Sequence, residues 1–423
     1  MNFKKTTLPN GLRIITVPVK NNPAVMVLVV VETGSNYETK AENGLSHFLE
    51  HMCFKGTTKR PGVSLIAREL DGLGAQNNAF TSNELTGYYA KAAKRHFSKL
   101  LEIISDIYLN PTLPAEDLEK ERGVILEEIN MYEDLPQKKV GALVSELMYG
   151  DVPAGRSTLG TRENIKKFKR RDFVDYRSKH YVASKTMVIV AGDISENEVD
   201  KEIRKYFRDI PEGGKSPKSK IKEIQKAPGL KIHQKKTDQT HMVMAFRAYR
   251  AGDKRIPALS VLAEILGKGM SSRLFTKLRD EMGACYYVHA EHDEGTDHGI
   301  FAISTGINVS RIKEVTKVLL EECGKLAKVP VSGEELQKAK EHHIGNLYLN
   351  LETTDSIAEF YAHQEVTTGK PKNPQELERA IRRVTAKEVM KVARDIFRDN
   401  KLNLAVVGNV PRPIEVKKVL TLK

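Results

Sequence analysis

The sequence predicts an α+β protein built from two homologous halves, and three observations carry that prediction. Strand-like and helical patterns are grouped along the chain rather than strictly alternating, which favours α+β over a doubly wound sheet. The stretch Pro211-Glu212-Gly213-Gly214-Lys215-Ser216-Pro217-Lys218-Ser219-Lys220 has almost no apolar content and reads as a linker near mid-chain. The segments on either side echo one another. Gly11-Leu12-Arg13-Ile14 recurs as Gly229-Leu230-Lys231-Ile232, 218 positions later, and the apolar run containing Gly192 recurs around Gly408, 216 positions later. Two markers at nearly one offset indicate a duplicated fold. A chain of 423 residues also exceeds what one hydrophobic core usually supports. The expected division is a first domain over 1–210, a linker over 211–226 and a second domain over 227–423.

In the first half, alternation and β-branched runs predict strands over 12–18, 25–33, 84–91 and 186–192. The run Val25 to Val31 stops at Glu32 and is far shorter than the roughly 18 residues of a membrane span, so it reads as a buried strand. Helical periodicity predicts helices over 43–55, 63–73, 95–108, 115–134 and 137–148. The opening Met1-Asn2-Phe3-Lys4-Lys5-Thr6 passes directly into Asn10-Gly11 turn chemistry. No cleaved leader and no membrane contact are therefore expected, and the expected location is the cytoplasm.

The formal charge of +13, from 68 Lys and Arg against 55 Asp and Glu, invites a nucleic-acid reading. The basic residues are nevertheless spread along the chain. The two local clusters, Lys166 to Arg171 and Lys215 to Lys226, lack interleaved aromatics, which argues against a nucleic-acid partner. Cys53, Cys285 and Cys323 are odd in number and far apart, so free thiols are expected rather than a disulfide framework.

The chemistry concentrates in His47-Phe48-Leu49-Glu50-His51. On a helix the two imidazoles lie one turn apart on one face. Counting from His47, Glu50 falls at about 300° and His51 at about 40°, while Leu45, Phe48, Leu49 and Met52 occupy about 100° to 200°. The helix thus has a ligand stripe and a separate core stripe. Cys53, at about 240°, reads as a packed thiol rather than a ligand. Zinc catalysis needs about three protein ligands and a carboxylate that accepts a proton from water, which this stripe supplies except for one ligand. The pattern His-x-x-Glu-His is a zinc-protease signature.

With its flanks Gly44-Leu45-Ser46 and Phe54-Lys55-Gly56-Thr57, the motif resembles the pitrilysin and insulinase family, which includes bacterial processing proteases and the mitochondrial processing peptidase. The resemblance extends through essentially the whole chain; Cys53 stands where the family commonly has an aliphatic residue. It implies that each half is a mostly antiparallel sheet with helices packed on one face, together half of a clam-like chamber. It further implies a third zinc ligand within Glu121-Arg122-Gly123-Val124-Ile125-Leu126-Glu127-Glu128, at Glu128. The helical wheel supports that choice, because Glu128 lies within about 20° of Glu121 beside Leu118, Ile125 and Ile129, whereas Glu127 points about 100° away. Glu121 is then expected to orient a ligand or assist proton transfer.

By the same resemblance, Asn78 and Ala79 match substrate-contacting positions of an edge strand that binds a peptide as an added strand. Arg279 and Tyr286 match a pair seven apart that reaches substrate and catalytic centre, Tyr286 offering a hydroxyl to the developing oxyanion. The implied function is a zinc-dependent endopeptidase hydrolysing short or unfolded peptides inside an enclosed chamber, with zinc-activated water and Glu50 as general base. Metal motif and Arg-Tyr pair share one chain, which resembles the bacterial members that pair as homodimers. The rival reading is a catalytically silent structural or partner subunit of a peptidase complex.

Overall fold

In the computed structural model, which describes residues 2–214, 217–221 and 224–422, the four strands expected in the first half form and two polar strands join them. Lys215, Ser216, Lys222 and Glu223 of the expected linker lie outside the described residues. The strands are β1 (Lys4–Thr7), β2 (Arg13–Pro18), β3 (Ala24–Val31), β4 (Gln76–Thr81), β5 (Thr86–Ala93) and β6 (Thr186–Gly192). They form one sheet in the order β1-β2-β6-β3-β5-β4, in which only β2 and β6 run parallel. The second half gives β7 (Gly229–Gln234), β8 (Thr240–Arg247), β9 (Cys285–Glu294), β10 (Gly299–Ile307) and β11 (Leu402–Gly408). Their order is β7-β11-β8-β10-β9, again with one parallel pair, β7 with β11. Apart from β1 the two orders are the same, so the expected α+β fold of two homologous, mostly antiparallel domains is met.

The register refines the repeat. Arg13 pairs with Met187 and Gly229 with Asn403, so a single offset of 216 relates both pairs. Gly229 is therefore the counterpart of Arg13, not of Gly11 as the sequence markers suggest. A slip of two residues leaves every side chain on the same face of a strand, which is why the apolar pattern did not reveal it.

Two units emerge from the packing: Met1–Asn130 with Arg156–Ser219 and Asn350–Asn373, and Met131–Gly155 with Lys220–Leu349 and Pro374–Lys423. In the first, β3 is buried along nearly its whole length, and the helices Phe97–Leu109 and Thr354–Thr368 both pack on it. In the second, Met242, Met244, Leu404 and Val406 face the main core with the helices Ile256–Gly267, Ile312–Lys328 and Ala386–Ile396. Val243, Ala245, Ala405 and Val407 point the other way and are covered by Val140, Leu143, Val144 and Met148 of the helix Pro136–Tyr149. Helices thus cover both faces of this sheet, one feature beyond the expected single layer. The cause is that β8 and β11 are apolar on both faces and require two covers. One helix from each half of the sequence, Pro136–Tyr149 and Thr354–Thr368, packs on the sheet built by the other half.

A buried ionic cluster pins the chain where it leaves the motif helix. Arg60 is 3% exposed and donates to Asp106 at 2.7 Å, to Glu69 at 3.1 Å and to Glu102, while its own carbonyl accepts the Thr57 N–H at 2.9 Å. Burial alone would raise the Glu102 carboxyl, but hydrogen bonds from Arg60 and Lys99 outweigh it and hold the group at about 2. A folded-state pKa below the unfolded value of 4.5 contributes stability that is present above pH 4.5 and lost as pH falls toward 2. We expect urea denaturation to show a loss of about 2 kcal/mol from this group over that range. Arg60→Met should remove this pH dependence and cost about 3 kcal/mol at neutral pH. An unchanged acid slope in the variant would assign it to other carboxylates.

Candidate active site

The motif helix Leu45–Cys53 lacks a side-chain cap of its own, its N-cap being Gly44 in the left-handed region at φ 100°. A Cβ there would lie 2.8 Å from the Gly160 Cα and 2.9 Å from the Leu159 carbonyl, so only glycine fits. The missing cap is supplied from outside. The Glu38 carboxylate accepts the Gly44 N–H at 2.8 Å, the Ser46 N–H at 2.7 Å and the Asn43 amide at 3.1 Å. Its negative charge therefore sits at the positive end of the helix. Ser46 Oγ is 2.7 Å from the Tyr176 hydroxyl, which is 2.9 Å from Thr33. Leu45, Phe48, Leu49 and Met52 are fully buried, as the wheel requires.

The opposite stripe meets the helix Ala115–Asp134. His47 Nε2 lies 3.5 Å and His51 Nε2 lies 3.8 Å from Glu128 Oε2, and one ligand atom from each of the three residues falls within 4.8 Å of the others. Tetrahedral zinc with bonds of about 2.0–2.1 Å separates its ligand atoms by about 3.3 Å. The two imidazoles and one carboxylate therefore fit a single zinc ion with only small adjustment. Burial, helped by the charge of His51, lowers the His47 pKa to about 3, so its imidazole is neutral and can act as a ligand at physiological pH. Burial likewise pushes Glu128 up, opposed by His51. Glu127 is exposed and accepts the Asn130 amide at 3.2 Å.

Two carboxylates flank this triad. Glu121 is 9% exposed; its Oε2 lies 3.1 Å from His51 Nδ1 and its Oε1 lies 2.5 Å from Lys55 Nζ. With Nδ1–H donating to Glu121, the lone pair of His51 Nε2 is directed toward the Glu128 side. Glu50 is 8% exposed and accepts the Thr81 hydroxyl at 2.6 Å. Burial pushes its carboxyl up, against the pull of Thr81 and His51. Glu121→Gln should weaken zinc binding about 10- to 100-fold without removing a ligand. Competition against a chromophoric chelator measures this, and unchanged affinity would mean that Glu121 does not orient His51.

Thr81 ends β4, which among the described residues pairs only with β5 and forms an edge of its sheet. Asn78 and Ala79 lie on this strand opposite Tyr89 and Tyr88, and the Ala79 N–H is satisfied by Asn78 Oδ1 at 2.9 Å. In the second unit, Arg279 and Tyr286 meet each other. The guanidinium lies 5.1 Å from the tyrosine ring centre and donates to the Cys285 carbonyl at 2.9 Å. The β9 register jumps between Cys285 and Tyr287, leaving Tyr286 in a bulge with its side chain 70% exposed. Among the described residues, no three-residue group of metal-ligating types lies wholly within this unit. The three cysteines are buried and free.

Glu38, Thr81 and Lys55 escaped the sequence reading. Glu38 was findable in principle, since a helix starting at Leu45 without Ser, Thr, Asp or Asn at its N-cap needs an anion from elsewhere. Thr81 and Lys55 act through contacts that no local pattern announces.

The HxxEH helix, an inverted zinc-binding motif, faces a helix that carries Glu128. Residues 13–162 match the family model described as insulinase (peptidase family M16), and residues 167–342 match the model described as the peptidase M16 inactive domain. The chain is 34% identical over 416 residues to a Bacillus subtilis protein named as an uncharacterised zinc protease, covering 97% of this chain and 100% of that one. A Streptomyces coelicolor protein named likewise is 31% identical, covering 96% and 89%. The chain belongs to the insulinase family, peptidase family M16. In fold it is similar to a protease from Helicobacter pylori, with a TM-score of 0.89 at 22% identity over 96% of this chain and 99% of that one. An M16 inactive-domain structure from Pseudomonas fluorescens gives 0.88 at 18% identity over 96% and 98%. Among the described residues, no helix is long and apolar enough to cross a membrane.

Proposed function

We propose that this protein is a zinc-dependent endopeptidase acting on short or unfolded peptides. The observation that carries the reading is the convergence of His47, His51 and Glu128 beside a buried Glu50. Zinc held by these three residues would supply Lewis acidity toward a scissile carbonyl and make water a usable nucleophile near neutral pH. Glu50 accepts a proton from the attacking water and passes it to the leaving amine, and its raised pKa suits both tasks. The Thr81 hydroxyl holds that carboxylate in place, and Glu121 fixes the His51 tautomer.

The substrate adds as an extended strand along the open edge of β4, where a peptide carbonyl replaces Asn78 Oδ1 on the Ala79 N–H. Tyr286 donates its exposed hydroxyl to the developing oxyanion, and Arg279, stacked on its ring, holds it and binds substrate. The domain division 1–210, 211–226 and 227–423, a homodimer and a cytoplasmic location belong to the same proposal. The test is cleavage of a quenched, unstructured peptide mixture. Activity should disappear on chelation and return with zinc; cleavage that survives complete zinc removal would refute the reading.

A further inference from the structure

In the second unit the helix Ile312–Lys328 packs against the short helix Pro413–Val419, and an open groove of about 520 Å³ runs between them. One wall is a single face of the longer helix, since Lys317, Leu320, Gly324 and Lys328 recur every three or four residues. From Lys317 to Lys328 that face is about 16 Å long.

The floor is apolar. Leu320 is buried at its base, Val419 closes the side of the shorter helix, and Val329, just past the longer helix, leaves 63% of its surface to water. Gly324 deepens the middle. A Cβ placed there meets no atom within 4 Å, so packing inside this chain does not call for glycine at a position where glycine weakens the helix. Open space above a helical glycine lets another chain come close to the backbone.

The rim is cationic. Lys317, Lys325, Lys328 and Lys418 line the groove against one carboxylate, Glu321. Lys325 is held by Glu322 at 2.6 Å, and Glu415, the acidic neighbour of Lys418, is taken by Lys313. Among the described residues, Lys317, Lys328 and Lys418 form no ion pair. Two of them stand at the ends of the floor and the third on the shorter helix, so the positive charge is spread along the groove and not gathered at one point.

Such a distribution complements several carboxylates set around an apolar group, which an acidic peptide offers and a single-headed amphiphile does not. A concave floor likewise differs from the protruding apolar face that lies on a membrane. We infer that the groove docks an acidic segment of a partner protein, one aliphatic side chain seated on Leu320, Gly324 and Val419 and carboxylates on Lys317, Lys328 and Lys418. About five residues of extended chain, at about 3.3 Å each, span it. This docking does not depend on the proposed peptidase activity.

The probe is a fluorescent, acetylated peptide Glu-Asp-Leu-Glu-Asp, followed by anisotropy on zinc-loaded Glu50→Gln protein so that it is not consumed. It should bind saturably at low salt, about tenfold more tightly than Gln-Asn-Leu-Gln-Asn, and the advantage should shrink as salt rises. The combined substitutions Lys317→Gln, Lys328→Gln and Lys418→Gln should weaken binding about tenfold by removing the charge of the rim. Gly324→Leu should weaken it by about as much by filling the floor. That variant should unfold at the same temperature or higher, because the new side chain enters open space and leucine favours a helix. Both losses are required. Absence of saturable binding, or a loss in only one of the two variants or in neither, overturns the inference. Dodecanoate that binds and is blocked by both sets of substitutions, where the peptide does not bind, would assign the groove to an anionic amphiphile and overturn the partner-protein assignment.

Discussion

Glu50→Gln is expected to lower kcat/KM on unstructured peptides by about a thousandfold while leaving zinc content unchanged. The substitution is nearly isosteric, and the amide oxygen can still accept the Thr81 hydroxyl that holds the native side chain at 2.6 Å. What disappears is the group proposed to take a proton from water. Because Glu50 is buried and lies outside the proposed ligand set, metal analysis should still return one zinc per chain. Retention of the wild-type rate would assign proton transfer to another group, with Glu121 the first to examine.

Glu128→Gln is expected to weaken zinc binding by about a thousandfold or more, because it removes the anionic member of the proposed ligand set. Glu127→Gln is the control. Its side chain is exposed and engaged with Asn130, so the same loss of charge one residue away should leave affinity within about twofold. Equilibrium dialysis of the two variants side by side measures the difference. Equal effects would mean that the site responds to local charge and not to a ligand at position 128.

This contrast shows what was legible in the sequence. The two histidines and Glu50 sit on one turn of one helix, so spacing alone placed them on a common stripe. The choice of Glu128 over Glu127 came from the family resemblance, with helical phase in support, because Ile125 and Ile129 fix which side of that helix is buried. The buried strands β3 and β6 declared themselves through unbroken apolar runs. The polar edge strands did not: β1 reads Lys-Lys-Thr-Thr and β4 begins Gln-Asn-Asn, since an edge in contact with water has little need of apolar alternation. Nor could the sequence say that the helices Pro136–Tyr149 and Thr354–Thr368 pack on the opposite half's sheet. An amphipathic face records that a helix is buried, not against what. Glu38 was hidden for a related reason, because its three bonds reach five to eight residues forward into the turn and helix that it caps.

The most direct test of the account is a zinc titration of metal-free protein with cleavage of an unstructured peptide followed in the same cuvette. Activity should rise linearly and level off at one zinc per chain, and Glu50→Gln should bind the same equivalent without gaining activity. Folded wild-type protein that takes up one zinc at His47, His51 and Glu128 yet cleaves nothing would contradict it and identify the chain as a silent partner subunit.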